Sequence, residues 1–229
     1  MTPYRSTVHF TQFVGRVLAR PPESILYVAA GAGPDLAYFK KQFPNTKVAA
    51  MESNSESLSA ARAHLAEEGI DAAILMERDW LSEQPEMERR FEGLLSLSTL
   101  SQHKSPVRAI TRMCQLADSW VAASVMAWNG DHDFMIDVRS LDDAPDNVEG
   151  SRHAAYYNIY SLKTLSRLFE RNGFIHFKAE QFQMDVDLPP PAELRLGTYT
   201  CQTAAGNRLQ ISGPLFMPWW FIFAERSAK

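Results

Sequence analysis

The strongest constraint on the fold comes from residues 25–30, a short apolar run that leads into Gly31 and Gly33 and then into Pro34-Asp35. A run of that length reads as a buried strand, and Pro34 suits the first turn of a helix reaching Phe43. A strand that turns so tightly into a helix puts its glycines at the strand's carboxyl end, where backbone can approach a ligand without a Cβ collision. The turn Ala29-Ala30-Gly31-Ala32-Gly33 is therefore the pivot of the first strand-helix unit and the first candidate for a site.

The alternation continues along the chain. Residues 48–51 read as a second strand, Asn54 caps a helix running to Glu68, and Gly69 stops it. Strands follow at 72–76, 91–97 and 120–128, with a helix at about 106–117 between the last two. Before them, Phe10, Phe13, Val14, Val17 and Leu18 recur at helical spacing, so an amphipathic helix ending before Pro21-Pro22 covers one end of the sheet. Repeated strand-helix units predict an α/β fold: a Rossmann-like doubly wound sheet of about seven strands, mostly parallel.

The second half is more irregular. Asn129-Gly130 suits positive φ at both turn positions, which predicts a β-hairpin whose return strand is 134–139. Residues 142–151 are acidic and carry Pro and Gly, as expected of a loop beside that hairpin. Ser161 caps a helix with the apolar stripe Leu162, Leu165, Leu168 and Phe169, Gly173 ends it, and Phe174 and His176 open a further strand. Strand-like pieces at 198–202, 208–212 and 217–225 then supply antiparallel C-terminal strands, after the stiff connector Pro189-Pro190-Pro191. The chain thus reads as one domain, with 1–22 a helical cap, 23–128 a cofactor-binding core, 129–160 a hairpin and loop insertion, and 161–229 the C-terminal part of the sheet.

Charge excludes several partners. Lys and Arg total 23 against 27 Asp and Glu, a formal net charge of −4, the wrong balance for binding nucleic acid. The longest apolar run, 217–224, contains Pro218 and falls far short of the ~20 residues of a membrane span. The first ten residues lack the apolar core of a secretion signal, and Cys114 and Cys201 form no metal or disulfide pattern, so a cytoplasmic chain with no membrane partner is expected. A homodimer is compatible with this composition.

Residues near the turn discriminate between nucleotide ligands. A dinucleotide fingerprint needs a third Gly or Ala three positions after the second glycine, and that position is Leu36. Asp35 sits in the helix's first turn, where its carboxylate competes with a phosphate for the positive end of the dipole. S-adenosyl-L-methionine carries no phosphate but has a ribose, a sulfonium and an amino group, all of which suit nearby carboxylates. Glu52, at the end of the second strand with Ser53 beside it, can accept hydrogen bonds from ribose hydroxyls. Asp79 ends the third strand in the same way and can meet the adenine amino group, with Trp80 beside the ring.

These residues resemble the class I S-adenosylmethionine-dependent methyltransferases, whose first motif is a strand, an acidic residue and a Gly-x-Gly-x-Gly turn. The resemblance spans roughly 25–174 in element order. It implies a seven-stranded sheet with its last strand at 217–225, and a methyltransferase cofactor. Gly31 and Gly33, with Ala30, would face the methionine part, Glu52 the ribose and Asp79 the adenine, while Ser96 would line the methyl-transfer pocket. Two positions depart from the motif: the acidic residue is Tyr27 and the first glycine is Ala29, which leaves Asp35 as a partner for the cofactor's amino group. The segment Phe91-Glu92-Gly93-Leu94-Leu95-Ser96 lacks the Asn-Pro-Pro-aromatic motif of the amino-group adenine and glutamine enzymes.

The expected activity is methylation of a hydroxyl on a small-molecule or carbohydrate acceptor. Such transfer needs an aligned nucleophile and a base, and His103, after the fourth strand, is the first candidate, ahead of His132 and His153. Tyr156, Tyr157 and Tyr160 precede the last helix and are candidate substrate contacts. Of Trp219 and Trp220, which alternate across a strand, one is expected in the core and the other at a pocket. Asp131-His132-Asp133 reads as a solvated tip rather than a metal site, because adjacent residues after a tight turn rarely converge on one ion. The alternatives are a non-catalytic adenosylmethionine-binding protein and a nicotinamide-dependent oxidoreductase.

Overall fold

A computed structural model of the chain describes residues 3–70, 73–140, 152–192 and 197–227, with only the backbone described at 140 and 152–154. Its first half follows the alternation read above: α1 (Arg5–Val17), β1 (Ser24–Val28), α2 (Pro34–Gln42), β2 (Lys47–Glu52), α3 (Ser55–Glu67), β3 (Ala73–Glu77), β4 (Phe91–Ser96), α4 (Pro106–Leu116) and β5 (Ala117–Trp128). Asn54 accepts a hydrogen bond from the backbone N–H of Ser57 and so caps α3, and Gly69 ends that helix with a φ of +70°. Further on come β6 (Asp137–Ser140), β7 (Arg152–Tyr156), β8 (Tyr160–Ser161), α5 (Leu162–Arg171), β9 (Phe174–Gln181), β10 (Thr198–Gln202), β11 (Arg208–Ser212), β12 (Leu215–Phe216) and β13 (Trp219–Arg226).

The main sheet has the order β3-β2-β1-β4-β5-β13-β9, with β8 added at the end of β5. Strands β1 to β5 are parallel, and β13 runs antiparallel to both β5 and β9. Sheet order therefore reverses between β1 and β4, and a doubly wound sheet binds ligands in the crevice outside the carboxyl ends of such a pair. The two faces bury separate cores. Leu26 and Val28 point into one with Leu94, Val121 and Ile222, while Ile25 and Tyr27 point into the other with Phe10, Phe13, Leu36 and Phe221. The apolar face of α1 thus closes the second core against β13. No helix among the described residues is long and apolar enough to cross a membrane.

Two expectations are corrected. The segment after β5 does not return along it as a hairpin: toward its end β5 pairs with β13 on one side, and on the other, beyond β4, with β8 at Ala127 and Trp128. Neither Asn129 nor Gly130 takes the positive φ that the predicted turn requires. Gly130 instead lies against the Trp128 ring, where a Cβ would come within 2.1 Å of the indole. The extra two-stranded sheet joins β6 to β7, outside the main sheet. The C-terminal pieces also divide, since only β13 enters the main sheet and β10, β11 and β12 form a three-stranded sheet of their own. The loop expected at 142–151 lies outside the described residues.

Candidate active site

The turn after β1 adopts the backbone of a glycine-rich loop. Ala29, Gly31 and Gly33 all have positive φ, at +53°, +53° and +84°. The Gly33 N–H donates to the Ala30 carbonyl, closing the turn, and Gly33 starts α2. Ala61 of α3 packs beneath it, so a Cβ on Gly33 would sit 3.0 Å from that of Ala61. A Cβ on Gly31 would meet nothing within 4 Å, so the loop is open on the side a ligand would approach.

Glu52 is tied to this loop. Its carboxylate accepts from the backbone N–H groups of Gly31 and Asn54, both at 2.9 Å, which fastens the end of β2 to the turn after β1. Ser53 beside it is exposed. Asp79 follows β3, exposed, and accepts from the Leu81 N–H at 2.9 Å. Trp80 does not stand free: it is 5% exposed, its ring packs edge-on to His103 at 5.2 Å, and its carbonyl accepts from the buried Arg112. Ala30 and Ser96 are buried, and the Ser96 hydroxyl has no partner.

Asp35, in the first turn of α2, accepts hydrogen bonds from the hydroxyls of Thr7 and Tyr27, the latter at 3.4 Å. Burial pushes its carboxyl above the usual range, and the two hydroxyl donors pull it part of the way back. The Tyr27 phenol is pushed well above its ordinary value by burial, then by the Asp35 charge. A carboxylate therefore sits over the end of the Tyr27 side chain, supplied from the helix rather than from the strand.

Asp35 lines a cavity of about 530 Å³ at the carboxyl ends of β4 and β5. Leu97, Ser98 and Ser124 form its floor, and Tyr4, Arg5 and Ser6 at the start of α1 form one wall. Phe182, Trp219 and Phe221 form an aromatic wall, and Thr198 and Gln210 reach in from the small β10–β12 sheet. Ser98 is held at a φ of +57° with its N–H donated to the Ser124 hydroxyl at 2.7 Å. Arg5 is bound in turn by Asp185, whose carboxyl it holds far below the usual range. Trp219 is the member of its pair at the cavity, while Trp220 packs on the opposite core.

The remaining sequence candidates stand elsewhere. His103 does not line the cavity; its ring packs on Trp80, its Nε2 is buried without a partner, and burial lowers its pKa. Tyr160 is wholly buried, donating to the His103 carbonyl and accepting from Asn158, and neither Tyr156 nor Tyr157 lines the cavity. Asp131 pairs with Lys163, and Asp133 accepts from Ser161 and Thr164, so both carboxylates pin the chain to α5. Sequence reading missed Thr7, Arg5, Ser98 and Gln210. Only Thr7 carried a signal, as a hydroxyl residue in helical register with Phe10, Thr11 and Val14 on the buried face of α1.

No protein-family model matches the sequence, and no curated protein matches it. Solved structures do match the fold. The N-terminal domain of EvdMO1, solved with S-adenosylhomocysteine bound, aligns with a TM-score of 0.64 at 13% identity over 98% of this chain and 83% of that one. YcgJ from Bacillus subtilis aligns with a TM-score of 0.63 at 11% identity, over 97% of this chain and 100% of that one. The Burkholderia thailandensis 1,6-didemethyltoxoflavin-N1-methyltransferase, solved with its namesake compound and S-adenosylhomocysteine, aligns with a TM-score of 0.60 at 15% identity over 98% and 79%. The fold is that of the class I, Rossmann-like methyltransferases. This chain combines that fold with a separate three-stranded sheet, β10–β12.

Proposed function

We propose that the chain is an S-adenosyl-L-methionine-dependent methyltransferase acting on a hydroxyl of a small-molecule or carbohydrate acceptor. The observation that carries this reading is the row of carboxylates, Asp35, Glu52 and Asp79, following three neighbouring strands around an open Gly31. This set of acceptors suits a phosphate-free nucleoside with positive centres and opposes a pyrophosphate, because Asp35 occupies the positive end of α2 and Leu36 fills the third-glycine position. Gly31 and Gly33, with Ala30, would border the methionine part, Glu52 and Ser53 the ribose, and Asp79 the adenine. Asp35 would serve the amino group, and Ser96 and Trp80 would back the site from the core. The bound cofactor supplies an electrophilic methyl group. The chain's own part is to hold the acceptor in the adjoining cavity, exclude water and align the nucleophile.

Calorimetric titration tests this. S-adenosylhomocysteine should bind and raise the unfolding temperature with concentration, as any ligand selective for the folded state does, and NADH should not. Glu52→Ala should weaken that binding at least tenfold, since it removes the ribose acceptor and releases the Gly31 N–H. Stabilisation by NADH alone would overturn the reading. Binding without methyl release to any acceptor would favour a non-catalytic cofactor-binding protein.

A further inference from the structure

The cavity beside the proposed cofactor site carries its own chemical selectivity. Resting on the reading above, we propose that it takes a flat, uncharged and largely apolar ring compound, such as a phenol or a nitrogen heteroaromatic, rather than a free or phosphorylated sugar.

One wall is aromatic and continuous. The Phe182 and Phe221 rings lie 5.2 Å apart at 31°, with Trp219 beside them, and such faces stack on a planar π-system. Several polar groups on the other walls are committed. Arg5 binds Asp185, the Ser124 hydroxyl accepts from Ser98, and Asp35 already serves Thr7 and Tyr27. What remains among the described residues is Gln210, Thr198, the Tyr4 phenol, the Trp219 indole N–H, the O–H of Ser124 and the small hydroxyls of Ser6 and Ser98. A sugar brings several hydroxyls, and each one buried without a partner weakens binding roughly tenfold or more. None of these remaining groups is a charged side chain free to take two neighbouring hydroxyls at once, which suits one polar edge of a ring compound better than the whole rim of a sugar.

Charge points the same way. A phosphate or carboxylate needs an arginine, a lysine or a helix N-terminus to hold it. Arg5 is the only cationic side chain among the described residues lining the cavity, and Asp185 holds it through a two-toothed pair. Asp35, at the head of α2, adds a negative charge to the same wall. The uncapped first turn of α1, at Tyr4 to Ser6, offers an anionic acceptor a positive helix end, but Asp35 opposes it on the same cavity and no unpaired cationic side chain among the described residues there adds to it.

The test is isothermal titration of the full chain with 2-naphthol, 2-naphthyl phosphate and methyl β-D-glucopyranoside, each with and without saturating S-adenosylhomocysteine. Naphthol should bind with one site per chain, the phosphate ester at least about tenfold more weakly, and the glucoside without measurable heat. Trp219→Ala should weaken naphthol about tenfold, and Trp219→Phe, which keeps an aromatic face and guards against a folding artefact, should hold it within about threefold. The proposal is overturned if the glucoside or the phosphate ester binds as tightly as naphthol, if naphthol does not bind, or if folded Trp219→Ala binds it unchanged. Failure of S-adenosylhomocysteine to bind, with naphthol still bound in its absence, would sink the methyltransferase reading and leave the cavity's selectivity standing.

Discussion

The loop after β1 offers a direct test of why its two glycines differ. Gly33→Ala meets two penalties: a left-handed residue with a side chain costs about 1–2 kcal/mol, and crowding into packed neighbours costs about 1–3 kcal/mol. The crowding follows from geometry, since the new Cβ would lie 3.0 Å from the Cβ and 3.2 Å from the Cα of Ala61, on a helix that cannot swing aside as a side chain could. Losing a glycine also stiffens the unfolded chain, which returns about 0.4–1 kcal/mol. The net expectation is a loss of about 3 kcal/mol. Gly31→Ala pays the backbone penalty alone, because its Cβ meets nothing within 4 Å, so it should cost about 1 kcal/mol or less.

Urea unfolding of both variants, compared at unchanged slope, reads the difference as a shift in midpoint. Ala61→Gly isolates the cause further. On its own it costs about 1 kcal/mol as a glycine in a helix, but it removes the 3.0 Å contact with the Cβ and leaves the 3.2 Å approach to the Cα, so the double variant should recover part of the crowding, about 1 kcal/mol, against additivity. Equal losses for Gly31→Ala and Gly33→Ala, or strict additivity with Ala61→Gly, would refute the packing account. Binding should rank the other way: Gly31→Ala puts a methyl group into the ligand's approach and should abolish S-adenosylhomocysteine binding while barely moving stability.

Other expectations follow from Asp35 and the thiols. Because burial holds the folded-state pKa of Asp35 above its ordinary value, the stability tied to its neutral form is complete below that ordinary value and is lost as pH rises through the folded one. Asp35→Asn should therefore flatten the pH dependence of the urea midpoint across this acidic window; an unchanged slope would show that the carboxyl is not desolvated. Thr7→Val takes a hydroxyl donor from that carboxylate and should cost about 1.5–3 kcal/mol at pH 7 but less at pH 4. Burial pushes the Cys114 thiol up to about 12 while Cys201 is exposed, so a disulfide-exchange reagent at pH 8 should titrate one thiol in the native protein and a second only after denaturation.

How far the sequence could be read depended on whether a signal was local. Asn54, Ser161, Gly69 and Gly173 each report on backbone within a few residues, and each sits where its side chain or its freedom at positive φ predicts. The apolar runs of β1, β2, β4 and β5 have no polar face because both faces of the sheet are covered there, which is also why they are easy to find. Asn129-Gly130 failed for the opposite reason. Its turn preference is local, but whether a hairpin can form depends on a free strand edge, and the two edges at the end of β5 are taken by β13 and β8, both distant in sequence. Aromatic residues show the same limit: Tyr160, read as a substrate contact, is buried, while Trp219 lines the cavity, and only packing sends one to the core and the other to the cavity.

The departures from the family's first motif resolve into energetics rather than geometry. Ala29 stands where the motif has glycine, yet it keeps a glycine-like φ of +53°, and Ser98 after neighbouring β4 does the same at +57°. Each such residue costs of order 1–3 kcal/mol and persists only where its surroundings over-determine it. Here the surroundings are explicit: Glu52 holds the Gly31 N–H, and Ser124 holds that of Ser98. Tyr27 follows the same logic. The carboxylate missing from the end of β1 returns on Asp35, with the Tyr27 hydroxyl as one of its two donors, so the strand's side chain orients the charge instead of bearing it. Alanine at position 29 therefore costs stability, while the loop's conformation and the negative charge beside it are retained.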